Sequence, residues 1–261
     1  MNGPVLGLGQ LEADLWKLMF LMTRVGAAML AAPIFGARTI PVEVRIIMAG
    51  AIGLFIMLWV PVEVPGDTFS FATLVALLGE VMIGMALGFV LQMSFAAPVI
   101  AAEQIAGGMG MAIATAVDPN TGAQSGALGQ YFTIVLTLTF MAIGGHLLWL
   151  RLVIESYLIF PPGTDWLGDG QRAGEIAGFA AEMFATAVAI ALPIMMVLFL
   201  VQVVTGVLSR SAPSLNLFAL GLPAGVLGGL AALLAAAPFT SEQFVTLSEA
   251  MITHAGAVVR S

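Results

Sequence analysis

Few side chains in this sequence are of the types that perform chemistry. It contains no cysteine, and its two histidines, His146 and His254, lie far apart along the chain. A metal centre needs several clustered ligands, and a hydrolase needs a nucleophile beside a base. Ser125 and His146 would have to fill those two roles, but Ser125 lies in a Gly-rich segment and is more simply explained as a turn residue. We therefore expect no enzymatic activity, no metal and no cofactor.

The other reactive groups are charges inside apolar segments, chiefly Arg24 and Glu80. A charge that faces lipid at membrane depth costs about 2.5–3.5 kcal/mol on insertion scales, so Arg24 is expected to face protein, a cavity or an interface. For Glu80 the alternatives are burial against a partner, a position near an interface, or a proton relay. We predict that both residues act in packing or assembly.

The composition is that of a membrane protein. Of 261 residues, 60% are hydrophobic and only 9% are charged, and the mean hydropathy is +1.06. Soluble globular domains carry about 25% charged residues. Membrane lipid is therefore an expected partner. The net charge is −7 and no basic cluster is present, so nucleic acid is not an expected partner.

The apolar segments are long and predict an all-α fold, since about 20 helical residues cross a bilayer. We expect about six such helices, some of them kinked or broken. Pro98 and Pro238 are expected to end helices, and Pro193 to kink one. The apolar runs cover residues 11–32, 46–62, 69–97, 128–150 and 183–209, with a last run that ends at residue 238.

Small residues recur at four-residue spacing in two of these runs, a pattern that lets helices approach closely. Gly84 and Gly88 form the first set. Gly221, Gly225 and Gly229 form the second, which Pro223 disturbs.

Residues 103–126 do not fit the helical pattern. They are too apolar for an ordinary surface loop, yet each interior glycine costs a helix about 1 kcal/mol relative to alanine. The segment has a glycine cluster near its start and an Asp-Pro-Asn-Thr-Gly turn signal near its end. Irregular apolar backbone persists in a membrane protein only where protein covers it or where it lines a cavity. We interpret the segment as a candidate gate or plug.

Five segments, in order, resemble the FliR family of flagellar export proteins and the homologous SctT subunits of injectisomes. They are R-V-G-A-A-M-L-A-A-P-I-F-G at 24–36, I-P-V-E-V-R at 40–45, E-V-M-I-G-M-A-L-G-F at 80–89, E-Q-I-A-G-G-M-G-M-A-I-A-T-A-V-D-P at 103–119 and G-V-L-S-R-S-A-P-S-L-N-L-F-A-L-G-L-P at 206–223. The similarity covers nearly the whole chain.

The resemblance implies a channel-forming subunit of the type III export gate, through which unfolded flagellar proteins pass. Its fold would be a set of integral-membrane-type helical hairpins within a helical multi-subunit assembly. Residues 1–170 would be FliP-like and residues 171–261 a FliQ-like hairpin. The implied partners are FliP-like, FliQ-like, FlhB-like and FlhA-like proteins and the unfolded substrates. The implied location is the flagellar basal body in the bacterial inner membrane.

The resemblance also implies roles for individual residues. The plug maps onto residues 107–126, and where members of the family carry phenylalanines this chain has Ile113 and Ala116. The seal is therefore expected to depend more on Met109 and Met111, because methionine fills irregular gaps while remaining deformable. The predicted plug residues are Gly107, Gly108, Met109, Gly110, Met111, Ile113, Ala116, Asp118 and Pro119; the predicted assembly residues are Arg24, Glu80, Gly84, Gly88, Arg210, Pro213, Asn216, Gly221 and Pro223.

One alternative from a different class stays open, a small-molecule secondary transporter or permease subunit. Such proteins build their sites from broken helices and intramembrane charges. No inverted repeat is visible in the sequence, and polar groups in the apolar runs are sparse.

Overall fold

A computed structural model describes residues 8–37, 39–65, 70–111, 126–164, 170–211 and 217–260. Every regular element within those ranges is an α-helix, which confirms the predicted all-α class. The seven helices are α1 (Leu8–Ala31), α2 (Val42–Trp59), α3 (Phe71–Gly108), α4 (Ala127–Ala142), α5 (Gly145–Ile159), α6 (Gly170–Ser211) and α7 (Leu217–Arg260).

Within the described residues, four helical stretches are long and apolar enough to cross a membrane: Val42–Trp59, Phe71–Gly108, Ala177–Ser211 and Gly221–Val258. The bent pair α4 and α5 raises this to five if it forms one span. The expected number was about six. The difference arises at α1, which has ample length but carries Glu12, Asp14, Lys17 and Arg24.

The apolar run at 128–150 is broken rather than continuous. Gly144 adopts a positive φ of 74° between α4 and α5, and the two helices meet at a bend of 69°. A glycine tolerates this left-handed conformation without the steric cost that a side chain would add. The break therefore redirects the chain at Gly144, inside a run that was expected to form one helix.

The prolines do not end helices where expected. Helix α3 continues through Pro98 to Gly108, and α7 continues through Pro223 and Pro238 to Arg260. Pro193, which was predicted to kink a helix rather than end it, lies inside α6. A proline removes one backbone hydrogen bond, but apolar surroundings offer the backbone no water as a substitute partner. The remaining helical hydrogen bonds are thus strongly favoured, and the predicted stops at Pro98 and Pro238 are wrong.

The chain divides into two packing units, each of which is discontinuous in sequence. The first contains Met1–Met93, Gly144–Phe179 and Met251–Ser261. Its core includes Trp149, whose indole N–H donates to the Leu87 carbonyl at 3.2 Å and whose ring stacks on Phe35. On α5 the buried residues recur at three- and four-residue intervals, so one face of that helix is directed into this core.

The second unit contains Ser94–Ile143 and Ala180–Ala250. Aromatic rings hold its core through edge-to-face contacts between Phe95 and Phe140 and between Phe132 and Phe244. The ring centroids of the second pair are 5.5 Å apart. Such contacts add to the gain from burying the rings. The predicted division near residue 170 concerns likeness to separate subunits, and it stays a prediction.

Candidate functional site

In the first unit, Arg24 lies at the centre of a buried polar network. Its side chain is fully buried, and its guanidinium binds both carboxylate oxygens of Glu80, with Nε to Oε2 at 2.7 Å and Nη2 to Oε1 at 2.8 Å. This two-pronged geometry is the strongest arrangement available to an arginine and a carboxylate. Glu80 is itself 1% exposed, so the charges neutralise each other inside the protein.

Helix α5 and the residue after it complete the coordination of Arg24. Nη1 donates to the Ser156 hydroxyl at 3.1 Å, and Nη2 also donates to the Phe160 carbonyl at 2.8 Å. The guanidinium lies 4.1 Å from the centre of the Tyr157 ring, within the range of a cation–π contact. Arg24 therefore faces protein and ties α1 to α3 and α5. Both Glu80 oxygens are engaged by Arg24, which makes the pair a structural link within the unit.

The glycine pair of α3 packs against α1 beside this network. A Cβ on Gly84 would collide with the Arg24 carbonyl oxygen and lie 2.9 Å from the Ala27 Cβ. A Cβ on Gly88 would collide with the Ala28 carbonyl oxygen. The small residues on α3 were predicted to let another helix approach closely, and that helix is α1.

We expect Gly84→Ala to destabilise the protein by about 1–3 kcal/mol, because the added methyl group meets backbone atoms that cannot rotate away. The measurement is the melting temperature of the purified protein in detergent. Gly26→Ala is the matched control: Gly26 lies on α1, and a Cβ there meets nothing within 4 Å. Equal melting temperatures for the two variants would contradict the prediction.

In the second unit, α3 ends where the predicted plug begins. Gly107 and Gly108 are the last helical residues, and Gly110 has a positive φ of 81°. The Gly110 N–H donates to the Gly107 carbonyl and the Met111 N–H to the Ala106 carbonyl, both at 3.0 Å. This pair of hydrogen bonds is the Schellman arrangement that closes a helix at a left-handed glycine. Of the three glycines, Gly110 is thus the one that stops the helix.

The residue at that turn, Met109, is buried against two glycines of α7. A Cβ on Gly225 would lie 3.0 Å from the Met109 carbonyl oxygen, and one on Gly229 would lie 2.5 Å from the Met109 Cγ. Met109 is only 3% exposed. We call Gly225 and Gly229 the Met109 seat. The third predicted member, Gly221, is different, since a Cβ there meets nothing within 4 Å.

Two polar contacts that the sequence did not indicate hold this region. The Gln202 amide nitrogen on α6 donates to the Gly108 carbonyl at 2.9 Å. The Glu103 carboxylate accepts a hydrogen bond from the Gly126 N–H at 2.9 Å, and Gly126 caps the N-terminus of α4. A carboxylate is favourable at a helix N-terminus. Glu103 therefore links the residues on either side of 112–125.

An apolar cavity of about 590 Å³ lies beside the turn in the same unit. Met109 and Met111 form part of its wall, and α4 and α7 supply most of the rest, including Phe132, Leu234 and Phe244. Its lining offers few groups that would orient a polar solute, in contrast to a small-molecule site with convergent polar groups.

The other predicted site residues take varied positions. Arg210 is exposed in the last turn of α6, and Pro223 lies within α7. Among the residues that the structure describes, no group of three His, Asp or Glu side chains could hold a metal. Several predicted residues lie outside the described ranges: Ile113, Ala116, Asp118, Pro119, Ser125, Pro213 and Asn216.

Comparison with known proteins gives one matching family across most of the chain. Residues 15–251 match the family described as bacterial export proteins, family 1. Similar proteins include the flagellar biosynthetic protein FliR of Escherichia coli K12, which is 30% identical over 237 residues covering 88% of this chain and 86% of that protein. FliR of Bacillus subtilis 168 is 30% identical over 80% of this chain and 82% of its own length.

A protein with a different name is also similar. The surface presentation of antigens protein SpaR of Shigella sonnei is 30% identical over 143 residues, covering 55% of each chain.

Proposed function

This chain belongs to family 1 of the bacterial export proteins, and we propose that it forms part of the wall and the closure of a protein-conducting channel. The chain is a membrane-embedded subunit of a flagellar or related type III export apparatus, and it works together with other components of that apparatus. The proposal adds that it lines the path of unfolded substrates in the inner membrane of the basal body, and that residues 107–126 plug that path.

The observation that carries the plug proposal is the way α3 ends. A Schellman turn at Gly110 stops the helix, and Met109 is held in a buried seat. The chain then enters an apolar, glycine-rich segment that contains Ile113 and Val117. A firmly held base followed by an apolar, glycine-rich sequence suits a seal that must close against ions and yield to a polypeptide.

Energetically, such a seal works as a two-state element. A substrate opens it by binding the open state more tightly than the closed one. Shifting a 1:99 equilibrium to 99:1 needs about 5.5 kcal/mol of differential binding, so a closed state of marginal stability is the practical solution. Glycines keep that stability low, because they gain little from packing and lose much backbone freedom on ordering.

Unpaired apolar surface supports an assembly of several subunits. In α2 only Ala49, Gly53 and Ile56 are buried, while Leu58 and Trp59 are 68% and 75% exposed. Neighbouring subunits and lipid would cover such surface in the membrane. We propose FliP-like and FliQ-like subunits as direct partners, with FlhB-like and FlhA-like proteins as further components of the apparatus.

The experiment that tests the proposal is affinity purification of this chain from its own host. A channel subunit should co-purify with FliP-like and FliQ-like proteins. A solute transporter would purify alone or as a homo-oligomer and bind a small solute. The described structure does not favour the transporter, because Arg24 and Glu80 neutralise each other and the cavity beside Met109 is apolar.

Arg210→Ala is expected to reduce the yield of that complex while leaving the conductance of each assembled complex unchanged. The Arg210 side chain is exposed at the end of α6 and forms no ion pair within the described ranges, so it is available to neighbouring subunits. Arg151→Ala, another exposed arginine, is the matched control and should not affect yield. Normal yield with altered conductance for Arg210→Ala would mean that Arg210 acts in conduction rather than in assembly.

A further inference from the structure

Helices α6 and α7 hold the turn at Met109 from two directions. The Gln202 side chain binds the Gly108 carbonyl, and the two seat glycines enclose the Met109 backbone oxygen and side chain. We infer that Gln202, Gly225 and Gly229 are positioning residues that fix the base of the plug in its closed arrangement. The inference rests on the proposed function of residues 107–126.

Ordinary helix packing does not account for these glycines. Gly228, their neighbour on α7, admits a different partner: a Cβ there would lie 2.9 Å from Val201 of α6. Close approach of α6 and α7 is therefore served by Gly228. Gly225 and Gly229 instead admit Met109, which belongs to neither helix.

The turn is held on one side and has room on another. A second cavity of about 320 Å³ borders Gly107, Gly110, Gln202, Gly206 and Gly221. The turn therefore borders open space in addition to its seat. The closed arrangement then depends on the fit between Met109 and its seat.

Three alanine variants of the assembled complex separate these roles. Gly225→Ala and Gly229→Ala place a methyl group against Met109, whereas Gly228→Ala places one against Val201. The measurement is ion leak through purified complexes in lipid vesicles, normalised to assembled complex. We expect a roughly tenfold increase for the two seat variants, equivalent to a bias of about 1.4 kcal/mol. Gly228→Ala, which alters contact between α6 and α7 but not with Met109, should leak as the natural protein does.

Gln202 has its own matched pair of variants. Gln202→Glu keeps the shape but replaces the donating amide with an oxygen, which repels the Gly108 carbonyl. It should raise the leak more than Val203→Ala, an exposed neighbour on α6. Equal leak in all seat variants and controls would overturn the inference.

A disulfide gives the opposite test, because it should hold the plug closed. The natural chain has no cysteine, so Met109→Cys with Gly229→Cys introduces a unique pair. The Met109 Cγ, near the place of a cysteine sulfur, lies 2.5 Å from a Cβ on residue 229, so a small outward shift of the two side chains gives the spacing of a disulfide. Oxidation by molecular oxygen with a copper catalyst removes two electrons and two protons from the thiols and forms the S–S bond.

We expect oxidised cells to stop secreting an export substrate and to resume secretion when a thiol reductant is added. Each single-cysteine variant, treated in the same way, controls for the oxidant. Failure of the cross-link to form in the assembled complex, or normal secretion through the cross-linked complex, would overturn the inference.

If removing residues 107–122 leaves conductance unchanged, the plug proposal fails. If that deletion leaks but the seat variants do not, the seat alone fails.

Discussion

Replacing Arg24 with alanine is expected to lower the free energy of unfolding by about 3–5 kcal/mol, the usual cost of removing one partner of a buried ion pair. The variant leaves the Glu80 carboxylate buried without its counter-charge. It also removes donors from the Ser156 hydroxyl and the Phe160 carbonyl. Because typical domains are stable by only about 5–15 kcal/mol, we expect much less folded protein in the membrane.

The measurement is a denaturant titration of the purified protein in micelles, followed by tryptophan fluorescence, since Trp149 is buried in the same unit. Arg151→Ala is the matched control. Arg151 pairs with Glu155 at 2.6 Å, but its side chain is 73% exposed, so the loss should be at most about 1 kcal/mol. Equal losses for Arg24→Ala and Arg151→Ala would show that the buried network is not important for stability.

A double variant distinguishes the effect of an unpaired charge from the effect of lost side-chain volume. Arg24→Met with Glu80→Met removes both charges and keeps apolar volume, and such exchanges are often neutral or stabilising. We expect it to be markedly more stable than Arg24→Ala. A double variant as unstable as the single one would place the cost in lost shape and hydrogen bonds rather than in an unpaired charge.

Deleting residues 107–122 is expected to make the assembled complex leak ions in the absence of substrate. The deletion removes the seated Met109, the helix-ending Gly110 and the apolar segment that follows them. If the closed state holds about 99% of the population, removing the closure raises the open fraction by roughly 100-fold. The measurement is conductance of purified complexes in planar bilayers, expressed per assembled complex.

A same-length replacement of residues 107–122 by a Gly/Ser sequence is the control for chain connection. It preserves the distance between α3 and α4 but removes the apolar side chains, so it should leak like the deletion. Conductance equal to that of the natural complex in both variants would exclude residues 107–122 as the closure. Leak in the deletion alone would mean that chain volume seals the channel, independently of apolar side chains.

Sequence reasoning succeeded where the signal is local and failed where neighbours decide. Apolar length predicted α2, α3, α6 and α7 as candidate spans, because a helix satisfies its backbone within its own segment. The helix ends predicted at Pro98 and Pro238 were wrong. In apolar surroundings a helix that lacks one backbone hydrogen bond is still more stable than irregular backbone that lacks several. Gly144 and Gly145 form a Gly-Gly pair, which is a turn signal, but they were assigned to the end of the run 128–150, so the break inside that run was not foreseen.

The candidate site shows the same division. Charged residues are scarce in this chain and costly where they face lipid, which was sufficient to single out Arg24 and Glu80. The clustering of glycines singled out the turn at Gly110. Neither property specifies a partner. Arg24 meets Glu80 across 56 residues and Ser156 across 132, distances over which local pattern carries no information.

The helical membrane class and the unusual character of residues 103–126 follow from composition and spacing, because hydrophobicity and backbone preference belong to each segment separately. The tertiary structure decided which glycines matter. Gly221, Gly225 and Gly229 share one spacing on α7, yet Met109 packs against the last two and leaves the first in open space. The difference arises because contact with Met109 depends on where α3 ends. The spacing of the glycines on α7 carries no information about the end of α3.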